Sequence, residues 1–185
     1  PPCVMTTWSE TLVSSSGNYT FDYRVSSDGL TVEKAQNAGI VTVVRGETLF
    51  EDRVEVLVSL DRRSPDWCDH VGFVATEFKH SGINLRGGVP NIALALDNRR
   101  FLVQGEVTGA ELSWLPTEAS KYENLVFICD LHEKKFIVQQ GEHLAEVEWP
   151  NCPDQVYFAC CFRNLGNSAT IVDVGAGGML TKPAR

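Results

Sequence analysis

The sequence predicts an all-β protein: an antiparallel β-sandwich of about eleven or twelve short strands, in the manner of concanavalin-like folds. Three observations predict it. Apolar residues recur with a period of two, which is the spacing of a half-buried strand. Turn-forming residues punctuate the chain at short, fairly even intervals. Helical periodicity is nearly absent, and only Pro116 to Tyr122 could form a helical turn or two. A closed barrel is the second architecture that fits.

Taken in order, strands are expected over 20–25 and 29–34, joined by Ser27-Asp28-Gly29, where Asp-Gly suits the positive φ of a tight turn. A strand over 39–44 lies between the turn signals Asn37-Ala38-Gly39 and Arg45-Gly46. The run 53–60 shows the alternation most clearly, with Val54, Val56, Val58 and Leu60 on one face and Glu55 and Ser59 on the other. Strands over 71–78, 91–96 and 99–106 follow, the first two separated by Ser81-Gly82 and Arg86-Gly87-Gly88. Later come 123–130, 134–140 and 144–149, with Gln140-Gly141 as a turn. These are rich in branched and aromatic residues. In 155–162, Val156, Phe158, Cys160 and Phe162 are expected to point inward, and 168–174 completes the set. Residues 1–19 read as an N-terminal arm with a flexible Ser14-Ser15-Ser16-Gly17-Asn18 stretch, 20–174 as one sandwich, and 175–185 as a tail opening on Gly175-Ala176-Gly177-Gly178.

At 185 residues and 43% hydrophobic composition the chain is long enough for one well-buried core, and the 22% charged residues argue against disorder. No uncharged apolar run approaches the roughly 18 residues of a membrane-spanning helix. The opening residues Pro1 to Trp8 have no basic segment followed by a long apolar one, so they read as an internal stretch of a longer chain rather than a secretory signal. The net charge of −8, with basic residues scattered singly or in pairs, does not suit nucleic acid or an anionic membrane surface. Six cysteines, two of them the vicinal pair Cys160-Cys161, read as small hydrophobes of a reduced, cytoplasmic protein. Cys68-Asp69-His70 and Cys129-Asp130-Leu131-His132 do not match zinc-ligand spacing, so no metal is expected.

The second half carries a recognisable pattern. Leu125 to Asp130 is a strand ending in Asp, followed by the turn Leu131 to Lys135, then Phe136-Ile137-Val138 and Gln139-Gln140-Gly141-Glu142. A short strand then leads to Trp149, a Pro-flanked loop Pro150-Asn151-Cys152-Pro153, and Val156 to Cys160. Together with Val54 to Leu60 and Val71-Gly72-Phe73-Val74, this resembles a SPRY (B30.2-like) domain over residues ~20–174, and a neuralized-type repeat nearly as well. The chain departs from the pattern at Val89-Pro90-Asn91, where the family often has Trp-Gly, and in the displacement of the late-strand proline to Pro153. The resemblance implies a non-enzymatic protein-interaction module, the substrate-recognition part of a larger ubiquitin-ligase or signalling protein.

Catalytic patterns are thin. Glu146 and Glu148 would share a strand face, and retaining glycosidases hold two carboxyls ~5–5.5 Å apart, but the surrounding order Trp149-Pro150 does not match a sandwich glucanase. A solvated acidic face is the plainer reading, and a carbohydrate-binding or carbohydrate-cleaving domain stays as the alternative. There is no Gly-x-Ser-x-Gly elbow and no phosphate-binding loop, so no cofactor is expected. Three loops remain, with the Trp, Tyr and Arg content of interface hot spots. The first holds Arg62, Arg63 and Trp67; the second, Trp114 with Tyr122; the third, Arg163 and Asn164. These are the candidate residues for binding a protein or peptide partner, with Trp67 and Arg163 expected exposed on one edge of the sandwich.

Overall fold

The computed structural model describes residues 6–10, 22–36, 43–78, 90–116 and 120–176. Thirteen strands form, and no helix among the described residues. They are β1 Tyr23–Val25, β2 Thr31–Lys34, β3 Val43–Phe50, β4 Val54–Asp61, β5 His70–Ala75, β6 Asn91–Ala95, β7 Arg100–Val103, β8 Glu106–Thr108, β9 Lys121–Asp130, β10 Lys135–Gln140, β11 His143–Glu148, β12 Val156–Cys161 and β13 Ser168–Ala176. Two antiparallel sheets face each other. One has the order β1-β2-β13-β4-β9-β10-β11 and the other β3-β12-β5-β6-β7-β8. No described helix is long and apolar enough to cross a membrane, a point that leaves strand-built spans aside.

The core between the sheets is what the alternation dictates. Val54, Val56, Val58 and Leu60 of β4 meet Leu125, Phe127 and Cys129 of β9 on the same face, and Phe136 and Val138 of β10 continue it. From the other sheet, Phe73 closes on Phe136 and Phe158 on Phe127, with ring centroids 6.0 Å apart in each pair. Val156, Phe158, Cys160 and Phe162 all point inward as expected. The opposite face of β12 is also covered: Ala159 and Cys161 lie in a second apolar cluster with Val43, Cys68, Val74, Phe78 and Leu102. Gly72, at the middle of β5, is required by a close approach, since a Cβ there would stand 2.0 Å from the Ile92 carbonyl.

Three expectations need correction. Arg45-Gly46 is not a turn but lies inside β3, at a break in the register with β12 between Tyr157 and Ala159. A glycine within a strand marks a bulge, and here residues 6–9 run alongside: Trp8 bridges Gly46, the Ser9 N–H donates to the Arg45 carbonyl (2.9 Å) and the Glu47 N–H to that of Thr7 (2.7 Å). Trp8 itself is buried against Phe158. The run 99–106 is two strands, β7 and β8, because Gln104 and Gly105 take positive φ (53° and 84°) and make a two-residue hairpin turn. The expected helical turn over 116–122 is not formed at its described positions, since Lys121 and Tyr122 open β9. Residues 117–119, like the turn signals at Asn37-Ala38-Gly39, Ser81-Gly82 and Arg86-Gly87-Gly88, lie outside the described residues.

Candidate functional site

All three candidate loops gather at one end of the sandwich, where β4 and β12 finish and β5, β9 and β13 begin. Their anchor is Arg62. β4 ends at Asp61, but the alternation runs one step further and carries Arg62 inward after Leu60, leaving its side chain 2% exposed. Its Nε donates to Asp69 Oδ2 (2.8 Å), Nη1 to the Tyr122 hydroxyl (3.5 Å), and Nη2 to the Asp66 carbonyl and Asp97 Oδ1 (3.4 Å each). Burial opposes the charge on Arg62, but Asp69 and Tyr122 outweigh it and hold the guanidinium more firmly protonated. Burial likewise lifts the Asp69 carboxyl above its ordinary range, with Arg62 pulling it back. Arg62 and Tyr122, read from the sequence as candidate partner-binding residues, are instead both 1% exposed and serve as the internal fastening of the loops. Tyr122 reaches this place because Asn124 takes a positive φ (58°) and the β4–β9 register slips between Val58 and Leu60, which turns a residue of the outward phase inward.

On this base the first and third loops are tied together. The Asn167 side chain, fully buried, accepts from the Ser64 N–H (3.0 Å) and donates to the Ser64 carbonyl (2.8 Å). Asn164 Nδ2 donates to the same carbonyl (3.1 Å) and lies 3.3 Å from Ser64 Oγ. The first loop is closed internally by Asp66, whose Oδ1 accepts from the Cys68 N–H (2.9 Å). The third is fixed to β2 by the Gly166 N–H bonding the Lys34 carbonyl (2.8 Å). Above these bonds stand Trp67, 47% exposed, and Leu165, 52% exposed. Arg63 is largely exposed, with its Nε 3.8 Å from Asp61, and Arg163 is half-exposed on the same pair of loops. Asn164, a candidate contact residue, spends its amide on the loop-to-loop bonds.

The second loop is built differently. Leu112 and Leu115 are buried, and Arg99 clamps it by donating to the Leu115 carbonyl (2.8 Å) while pairing with Glu111. Trp114 is half-buried, packed against the core and stacked on His143 at 5.4 Å with the rings 8° apart. This candidate partner-binding residue seals the side of the core. Leu165, Ser64 and Asn167 lie within the candidate loops 61–67 and 163–167, but sequence reasoning assigned them no role of their own, and it passed over the strut Asp69.

The remaining chemistry-bearing residues do not assemble. Glu146 and Glu148 lie on the open outer face of the edge strand β11, and Glu146 pairs with Lys135 at 3.5 Å. Cys161 donates to the Cys68 carbonyl (3.0 Å) and lies 3.6 Å from His70 Nδ1, all within the closed second cluster. At the far end of the sandwich Cys129 and Cys152 are in hydrogen-bond contact. That bond from Cys129 lowers the Cys152 thiol below its ordinary range, and burial pushes Cys129 up. Among the described residues no cluster could hold a metal ion.

The fold is shared with solved SPRY domains. No protein-family model matches the sequence and no curated protein matches it significantly, so the likeness is one of structure. The SPRY domain of human HERC1 superposes with a TM-score of 0.62 at 12% identity, over 85% of this chain and 94% of that one. The TRIM65 PSpry domain gives 0.58 at 14% identity over 90% of each chain. Stonustoxin gives 0.63 at 8% identity, over 90% of this chain but 27% of its own.

Proposed function

We propose that this chain is a non-enzymatic interaction module that grips a protein or peptide partner with Trp67 and Leu165, flanked by Arg63 and Arg163. The observation that carries the reading is the pairing of two large exposed apolar side chains with loops held rigid beneath them by Arg62, Asn164 and Asn167. Pre-organised loops lose little conformational freedom on binding, and a central aromatic with arginines at its rim is the composition that concentrates binding energy. The SPRY-type fold, and the protein-recognition role the sequence resemblance implies, point the same way. In the same proposal the chain acts in the cytoplasm as the substrate-recognition part of a larger ubiquitin-ligase or signalling protein.

The test is selection of binders from a random peptide library, with a glycan array run on the same sample. Peptides selected by the native domain should lose at least about tenfold in affinity on Trp67→Ala or Leu165→Ala, while the melting temperature stays within about 2 °C. Selected peptides indifferent to both substitutions, or a glycan binder in place of peptides, would overturn it.

A further inference from the structure

The two sheets have four edges, and they are treated unequally. The β3 edge is covered by residues 6–9, as described above. Strands β1 and β8 are three residues each. The β11 edge is six residues long and paired on one side only. Which of its backbone groups are open follows from the register. β10 and β11 turn through Gly141-Glu142, setting Gln140 against His143, and the Trp149 N–H donates to the Lys134 carbonyl (2.7 Å). Antiparallel pairs alternate between bonded and non-bonded, so His143, Ala145 and Val147 bond to β10. The N–H and C=O groups of Leu144, Glu146 and Glu148 therefore point away from the sheet, and no described residue meets them. All three residues are exposed.

A bare edge of this length invites another strand, and the side chains decide which. Leu144, Glu146 and Glu148 share the outer face, with exposed Glu142 at the turn. A second copy is a poor occupant. Two antiparallel registers pair five of the six β11 residues with themselves: one sets Glu146 on Glu146, and the other, Leu144 on Glu146, sets Glu142 against Glu148. Each opposes carboxylates, and like charges in that position destabilise a sheet. The whole chain carries −8. We propose that the β11 edge binds an extended basic segment of a partner protein as an added antiparallel strand, of pattern basic-apolar-basic-apolar-apolar. Its two basic side chains lie opposite Glu148 and Glu146, and its last apolar one opposite Leu144. The apolar residues between them fall on the side of Ala145 and Val147, which pack against the core. Backbone bonds supply the docking and the alternate side chains the selectivity. This surface is separate from the Trp67 loops and does not rest on the function proposed for them.

The probe is the capped peptide Thr-Lys-Val-Lys-Val-Leu-Thr, with a control in which glutamates replace both lysines. Amide hydrogen exchange on the whole chain should show new protection at Leu144, Glu146 and Glu148, whose amides are open without peptide, and little change at His143, Ala145 and Val147, already bonded. The double variant Glu146→Lys, Glu148→Lys should bind the lysine peptide at least about tenfold more weakly and prefer the glutamate control. Glu146→Pro removes one outward donor and no ladder bond, and should weaken binding with the melting temperature kept. Trp67→Ala should leave binding unchanged. No binding at millimolar peptide, affinity indifferent to the charge reversal, protection mapped to the Trp67 loops, or protection at Leu144, Glu146 and Glu148 that rises with protein concentration alone would each overturn the proposal.

Discussion

Replacing Arg62 tests the architecture of the binding end directly. In Arg62→Ala the Asp69 carboxylate keeps the Asp66 N–H (2.9 Å) but loses its counter-charge, and the Tyr122 hydroxyl and Asp97 lose a shared donor. Removing one member of a buried ion pair costs about 3–5 kcal/mol, a large part of the roughly 5–15 kcal/mol that holds a domain folded. At this chain length each kcal/mol moves the melting temperature by about 2–4 °C, so the variant should melt roughly 6–20 °C lower. The neighbouring Arg63→Ala, on an exposed side chain, should fall within about 0.5 kcal/mol of the native protein. Acid should distinguish the mechanism. Burial already raises the folded-state Asp69 carboxyl above its unfolded value, and loss of Arg62 raises it further. Ionising it then costs stability as pH climbs from the unfolded value, near 4, through the folded one. The deficit of Arg62→Ala should therefore be largest at neutral pH and shrink as pH approaches about 4. Thermal and urea melts of both variants at pH 7 and pH 4.5 measure this. Equal melting of Arg62→Ala and Arg63→Ala, or a deficit indifferent to pH, would refute the assignment of Arg62 to the interior.

Two further outcomes follow from the core and the thiols. Phe158→Ala, which empties a site bounded by Trp8, Phe73 and Phe127, should cost about 3–5 kcal/mol; Tyr157→Ala, half-exposed beneath Arg45 at 4.0 Å, should cost about 1–2 kcal/mol in the same urea melts. Native alkylation followed by mass spectrometry should label Cys152 first among the described cysteines, because it is partly exposed and its thiol is lowered, with Cys129, Cys160 and Cys161 labelled only after unfolding.

The strands were legible wherever one face was apolar and the other was not. In β4 the period of two predicts the strand and its inward face, and followed one residue past Leu60 it places Arg62 inside; read as a charge in a loop, Arg62 looks like a contact residue. Tyr122 could not be placed this way, because a positive φ at Asn124 reverses the phase of β9 and nothing about an asparagine at that position announces it. Gly46 shows the complementary difficulty. Arg-Gly suggests a turn, and only the chain segment bearing Trp8, far away in sequence, makes it a bulge within a longer strand. The gathering of the three loops at one end is likewise a property of strand order, which local pattern does not encode. Trp67 is where alternation fails and composition alone pointed: a tryptophan between Asp66 and Cys68, outside any strand.

The position of β13 bears on how such a chain assembles. It lies between β2 and β4, pairing with Thr31 to Glu33 on one side and with Val54 to Asp61 on the other. The last described strand is thus the seam of a sheet whose other members include the first two described. During synthesis, the hairpin of β1 and β2 has no neighbour to join until residues past 168 have emerged, and one side of β4 stays open for the same interval. Closure across more than a hundred residues places the domain among the slow folders, on the order of milliseconds to seconds. Until then its unpaired strands are available to chaperones, or to one another on neighbouring chains.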